Sequence, residues 1–303
     1  MKRRNFIQQT SAASAFVGLG GLSSLSFFEA SKHITILHTN DVHSHIEAFG
    51  PDHHRNPNMG GVAKRAVLIE KIRQENPNTL LLDAGDIFQG TPYFNFYGGE
   101  LEFKLMSKLK YDAATLGNHD FDNGIDGLFS QLPNAGFDFL ISNYDFSNTI
   151  MHGQTKPYKV FTKNDVKIGV FGVGIELKGL VNDKLYKETQ YLDPIEVATD
   201  MSAILKNEEN CDLVICLSHL GYKYDSQKVD DHKLASKTDN IDLIIGGHTH
   251  TFLDEPIVVK NKVEKNVMIN QVGCYGLYLG RIDFYLDGKN SAASNGKSMK
   301  VQP

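Results

Sequence analysis

The chain has 303 residues, 41% hydrophobic and 22% charged, which is ordinary for a globular protein and ample for a sizeable core. Its formal charge of −5 describes a mildly acidic body with no broad basic surface for DNA or RNA. Its three cysteines, Cys211, Cys216 and Cys274, make neither a disulfide framework nor a zinc–thiolate motif, so buried packing is their expected use.

In chain order, residues 1–30 stand apart from the fold. Lys2-Arg3-Arg4 forms a positive n-region, and residues 12–28 are moderately apolar but diluted by Gly and Ser, marginal for spanning a bilayer. Arg3-Arg4-Asn5-Phe6-Ile7 looks like a twin-arginine export signal, with Lys2 where a Ser or Thr is usual. A periplasmic or secreted protein is expected, in contact with a membrane only during export.

From residue 31 onward strand-like and helical stretches alternate. Apolar runs at 34–39, 80–82, 113–116, 213–217 and 243–245 read as strands, and helices are expected near 61–75, 98–109, 194–208 and 225–237. The third helix is the best marked, with Asp193 as N-cap, Pro194 in the first turn and Glu196 three residues on. Further strand-like runs lie at 137–142, 157–162, 166–173, 256–260, 265–270 and 277–286. The alternation implies βαβ units, and the later hairpins a second sheet, so the class is α/β. The domain is expected over 31–287, with the small, polar residues 288–303 as a flexible tail.

Five of the strand-like runs end in a side chain that binds metals. They lead into Asn40-Asp41-Val42-His43, Asp83-Ala84-Gly85-Asp86, Gly117-Asn118-His119-Asp120, Ser218-His219 and Gly246-Gly247-His248-Thr249-His250. In an open α/β sheet ligands bind at the carboxyl ends of the strands, so five such loops build one polar site. Asp41 and Asp86 offer carboxylate oxygens, His43, His219, His248 and His250 imidazole nitrogens, and Asn118 an amide oxygen. That mixture without thiolate suits Zn, Mn or Fe. Seven ligands are too many for one tetrahedral ion but divide well between two that share a carboxylate. Two-metal sites clamp a phosphoryl group between ions roughly 3.5–4 Å apart. Two divalent ions less two carboxylates leave a net positive site, which attracts a phosphate dianion.

The series Asp41-x-His43, Gly85-Asp86, Gly117-Asn118-His119-Asp120, His219 and Gly247-His248-x-His250 resembles the calcineurin-like metallophosphoesterases. Residues 36–41, Gly60-Gly61-Val62-Ala63-Lys64-Arg65, Gly85-Asp86-Ile87-Phe88-Gln89-Gly90-Thr91, Gly117-Asn118-His119-Asp120-Phe121-Asp122, Gln271-Val272-Gly273 and Gly280-Arg281 narrow the likeness to the 5′-nucleotidase branch, over roughly residues 33–287. The resemblance implies a four-layer α/β/β/α sandwich around two central mixed sheets. It implies a first ion on Asp41, His43, Asp86 and His250 and a second on Asp86, Asn118, His219 and His248, with Asp86 bridging. It further implies that His119 stays off the metals and assists the phosphoryl transfer while Asp122 orients its ring. Physics agrees, because a carboxylate fixes an imidazole's tautomer and favours its cation.

Members of that branch carry a further domain that stacks the nucleobase, and the expectation here is the catalytic domain alone. Its substrate is then a small phosphate ester, foremost a nucleotide, with a separate nucleoside-binding chain as a possible partner. The alternatives are a phosphodiesterase for 2′,3′-cyclic nucleotides or nucleotide sugars, the catalytic subunit of a split enzyme, and a non-catalytic binding module. Secondary candidates for substrate contact are His53 and His54 in the loop 48–60, Phe88, the run Tyr93-Phe94-Asn95-Phe96-Tyr97, and Tyr222, Tyr224 and Tyr275.

Overall fold

The computed structural model describes residues 31–287 and 290–302; the expected export leader lies outside the described residues. Two six-stranded sheets dominate. In the first, β1 (Lys32–Thr39) lies parallel to β2 (Thr79–Asp83), which continues to β3 (Ala113–Ala114) and β4 (Asp138–Phe139). A short antiparallel pair, β5 (Tyr144–Asp145) with β8 (Gln190–Tyr191), stands apart. The second sheet has β7 (Val166–Val173), β9 (Leu213–Ser218), β10 (Leu243–Gly246) and β12 (Asn266–Asn270) in parallel. β6 (Tyr158–Lys163) and β11 (Ile257–Lys260) run antiparallel at its edges. On the first sheet, β13 (Tyr278–Asp287) pairs antiparallel with β1, and β14 (Asn290–Lys300) pairs with β13.

Strand residues point alternately to opposite faces, and here both faces are apolar because both are covered. Ile34, Ile36, Leu80 and Leu82 of the first sheet meet Leu213, Ile215, Leu217, Leu243 and Ile245 of the second in one buried layer. The intervening positions Leu37 and Leu81 turn outward onto the helices α1 (Val62–Glu75), α2 (Pro92–Tyr97), α3 (Glu100–Lys108) and α4 (Gly124–Gln131). Val214, Cys216 and Ile244 turn onto α5 (Pro194–Ala203) and α6 (Asp231–Lys237). The result is an α/β/β/α sandwich.

The helix expected near 98–109 is α3; a helix outside the expected set, α2, precedes it, and Gly98 and Gly99, with φ of 59° and 100°, separate the two. Two expectations are corrected. The strand-like run 137–142 narrows to two residues of β4. Residues 290–300, expected as flexible tail, form β14. An edge strand offers unpaired backbone groups that small polar residues can satisfy as well as apolar ones. Beyond it Val301 is buried, and its carbonyl accepts the Gly60 amide. All three cysteines are free, Cys211 and Cys216 buried.

The strands end together, and this places the site. Thr39, Asp83 and Ala114 are register partners across the first sheet, and Val173, Ser218 and Gly246 across the second. Every loop that leaves these positions therefore emerges at the same edge.

Candidate metal centre

The loops carry their side chains on costly backbone. Asp41, His43, Asp86, His248 and His250 all have positive φ, between 50° and 70°. For residues other than glycine that conformation costs about 1–3 kcal/mol each and persists only where the surroundings impose it. Tertiary hydrogen bonds do so: the Asp41 amide donates to Gly85 O at 2.9 Å, His43 N to Asp86 O at 3.1 Å and Tyr275 N to Asp41 O at 2.7 Å. The His248 amide donates to both Asp41 oxygens at 3.0 Å. Glycines permit the close approach. A Cβ on Gly117 would lie 2.2 Å from Asp86 Oδ1, and one on Gly247 would lie 2.8 Å from His219 Nδ1.

Two groups of ligand-type atoms result, Asp41 with His43 and His250, and Asp86 with His219 and His248, each within 4.8 Å of one another. His250 Nε2 faces His43 Nε2 at 3.0 Å and Asp41 Oδ1 at 3.3 Å. Asp86 Oδ2 lies between the groups, 3.1 Å from His219 Nε2 and 3.8 Å from His43 Nε2. Asn118 joins the second group, with its Oδ1 2.8 Å from His248 Nδ1. Outer hydrogen bonds aim the rings: His219 Nδ1 donates to Ala84 O at 2.6 Å and His43 Nδ1 to Phe88 O at 3.2 Å, which leaves each Nε2 facing the carboxylates.

The residues fit a pair of divalent cations. Asp41 and Asp86 are 0% and 1% exposed, yet among the described residues only histidines form ion pairs with them. Buried carboxylates without Lys or Arg need another source of positive charge. His219 Nε2 is buried and, with Asp86 Oδ2 3.1 Å away, makes no well-aligned hydrogen bond. Burial works against a charge on His219, but Asp86 raises its pKa to about 10. The hydrogen bond that His250 donates to Asp41 does the same for His250, also to about 10. Burial takes His248 the other way, to about 4. Burial lowers His43 as well, so the carboxylates favour positive charge at His219 and His250 in particular.

His119 belongs to neither group. Its ring lies edge-on to His43 with centroids 5.2 Å apart, and its Nδ1 is 2.8 Å from Asp122 Oδ2, a hydrogen bond that raises its pKa.

Sequence reasoning passed over two supports. Asn40 donates to Asp41 Oδ2 at 2.6 Å and to Gly273 O, and accepts from Val272 N. Asp120 accepts backbone amides from Asp86, Ile87, Phe88 and Gly117. Both stand inside the motifs, but nothing in one dimension separates a support from a ligand. Of the secondary candidates, Phe88 is buried against Phe103 and Phe94, and Phe96 is 83% exposed. Tyr222 packs on His232, and the Tyr224 hydroxyl donates to Leu220 O. Tyr275 lies beside His43 and His250, with centroids 6.0 and 5.9 Å away, and contacts His45; His53 packs on Phe49 beyond it.

An α/β/β/α sandwich with paired Asp/His clusters on its strand ends is the architecture of the metallophosphoesterases. Residues 34–252 match the calcineurin-like phosphoesterase family, and the chain belongs to it. It is similar to the snake venom 5′-nucleotidase of Crotalus adamanteus, 34% identical over 89% of this chain and 48% of that protein. Similarity to the human 5′-nucleotidase is 32% over 86% of this chain and 48% of that protein. Among solved structures, the 5′-nucleotidase precursor from Thermus thermophilus superposes with a TM-score of 0.82 at 32% identity, covering 90% of this chain and 56% of that one. The chain spans about half the length of the curated relatives it matches.

Proposed function

We propose that the chain is a dinuclear-metal phosphohydrolase, foremost a phosphomonoesterase acting on nucleotides. The observation that carries this is the single oxygen Asp86 Oδ2 set between two Asp/His groups. The first ion would rest on Asp41, His43, Asp86 and His250, the second on Asp86, Asn118, His219 and His248. Bound there, two divalent ions would neutralise charge on a phosphoryl group and lower the pKa of the attacking water. The protein holds the carboxylates and imidazoles in place before substrate arrives, so little reorganisation is left for the reaction. His119, held through Nδ1 by Asp122, presents Nε2 as a cationic donor to a phosphoryl or leaving oxygen. The names of the relatives support a nucleotide substrate. A further domain or a separate chain supplies nucleoside recognition on this reading, and the leader directs export. Among the described residues no helix is long and apolar enough to cross a membrane.

The test is hydrolysis by metal-stripped and reloaded protein of AMP, a cyclic 2′,3′-nucleotide, a nucleotide sugar and an aryl phosphate. AMP is expected to be cleaved fastest, and activity to vanish with chelation and return with Mn or Zn. Preference for the diesters would move the assignment to a phosphodiesterase. Activity undiminished by exhaustive chelation would remove the metal reading altogether.

A further inference from the structure

The loop 85–88 faces two ways. Its carbonyls hold the loop of the first cation group: Gly85 O accepts Asp41 N, Asp86 O accepts His43 N, Ile87 O accepts Ser44 N and Phe88 O accepts His43 Nδ1. The amides of Asp86, Ile87 and Phe88 converge on one carboxylate, while the Gly85 amide donates to Asp83 Oδ1. Asp120 Oδ1 accepts Ile87 N at 2.9 Å and Phe88 N at 3.1 Å, and Oδ2 accepts Asp86 N at 3.1 Å. The same Oδ2 also accepts Gly117 N at 2.8 Å, from the residue before Asn118. Successive amides around a left-handed residue form a concavity suited to an anion, and Asp86 with φ 56° follows Gly85 with φ 88°. Asp120 is 0% exposed, so its four hydrogen bonds form away from water, where a missing one is expensive. Two amides on each oxygen leave no acceptor for an added proton to meet, so the carboxylate is the form the loops enclose.

We propose that Asp120 is a positioning residue: its buried carboxylate, clamped between the loops 85–88 and 117–119, sets the separation of the two divalent-cation positions. The chain of contacts runs from Asp120 through Gly117 to Asn118, through the Asp86 amide to the shared carboxylate, and through the carbonyls of 85–88 to Asp41 and His43. Asp120 itself offers no oxygen to either ion. Asparagine at this place would turn an amide N–H₂ against two backbone N–H groups whichever way it flipped, so it conserves shape and loses the clamp.

The inference rests on the proposed dinuclear site, and the experiment separates the two. Wild-type and Asp120→Asn proteins are stripped and titrated with Mn(II), with bound metal measured directly and the spin-coupled ion pair read by electron paramagnetic resonance. Wild type is expected to take two ions per chain with a coupled signal. Asp120→Asn is expected to weaken the second ion by about tenfold or more and to lose the coupled signal, since a carboxylate–amide hydrogen bond of this kind contributes on the order of a tenfold factor. A wild-type protein that takes up no ion pair overturns both readings. A variant with two ions and an unchanged coupled signal overturns the role of Asp120 alone. Should the variant fail to fold, amide hydrogen exchange in the wild type decides. Slow exchange at Asp86, Ile87, Phe88 and Gly117 supports the clamp, and exchange as fast as in an exposed loop overturns it.

Discussion

His119 and Asp86 lie within one hydrogen bond of each other, the His119 amide donating to Asp86 Oδ1 at 2.8 Å, yet the proposed reaction asks different things of them. Asp86 holds the centre together, so Asp86→Ala is expected to abolish hydrolysis and to lower metal content. His119 acts on the substrate, so His119→Ala is expected to retain both ions and to lose about 10²–10⁴-fold in turnover, the contribution of a positioned acid. That loss corresponds to about 3–5 kcal/mol of barrier. Metal analysis beside the rate separates the two, and loss of metal from His119→Ala would show that its role is mistaken. These side chains stood out in the sequence because Asp, His and Asn recur together at the ends of five strand-like runs. Asp120 was not, since its part depends on which amides the fold turns toward it.

Helix α5 shows how far local chemistry reaches. Asp193 caps it as its neighbours Pro194 and Glu196 predict, the carboxylate accepting Ile195 N at 2.8 Å and Glu196 N at 3.2 Å. Asp193→Ala is expected to cost about 0.5–2 kcal/mol of stability with the rate of hydrolysis unchanged, measured by urea denaturation and assay side by side. A change in rate without a change in stability would contradict the structural role. Where contacts decided instead, as at β4 and β14, local signals misled. The break at Gly98–Gly99 leaves room for Phe88: a Cβ on Gly99 would lie 2.2 Å from its ring. β14 exists because β13 has a free edge, a fact that the composition of residues 290–300 does not carry.

Across the molecule, strand β13 locks the first sheet at a buried polar cluster. Asp283 accepts from Thr35 Oγ1 at 2.6 Å and from Arg281 Nε at 2.8 Å, and lies 2.8 Å from His33 Nε2. Burial raises the Asp283 pKa, but the hydrogen bonds from Thr35, Arg281 and His33 outweigh it and hold the carboxyl below its ordinary 3.8. A carboxyl depressed in the folded state contributes stability above its unfolded pKa and loses it as pH falls through the folded value. The stability gap between wild type and Asp283→Asn is therefore expected to hold at neutral pH and to narrow below about pH 4. A gap unchanged down to about pH 2 would show that the ionised form contributes nothing.

The two-faced apolar strands and the ligand types at their ends were settled by residue identity, because strand alternation and metal chemistry are local properties. The common edge at which the loops meet, the place of Asp86 between two groups, and the strained backbone of five candidate ligand positions came from the folded chain. Those features arise from register across the sheets and from hydrogen bonds between residues far apart in sequence, as between His248 N and Asp41. A one-dimensional pattern names the donors, and the packing of two sheets fixes the distances between them.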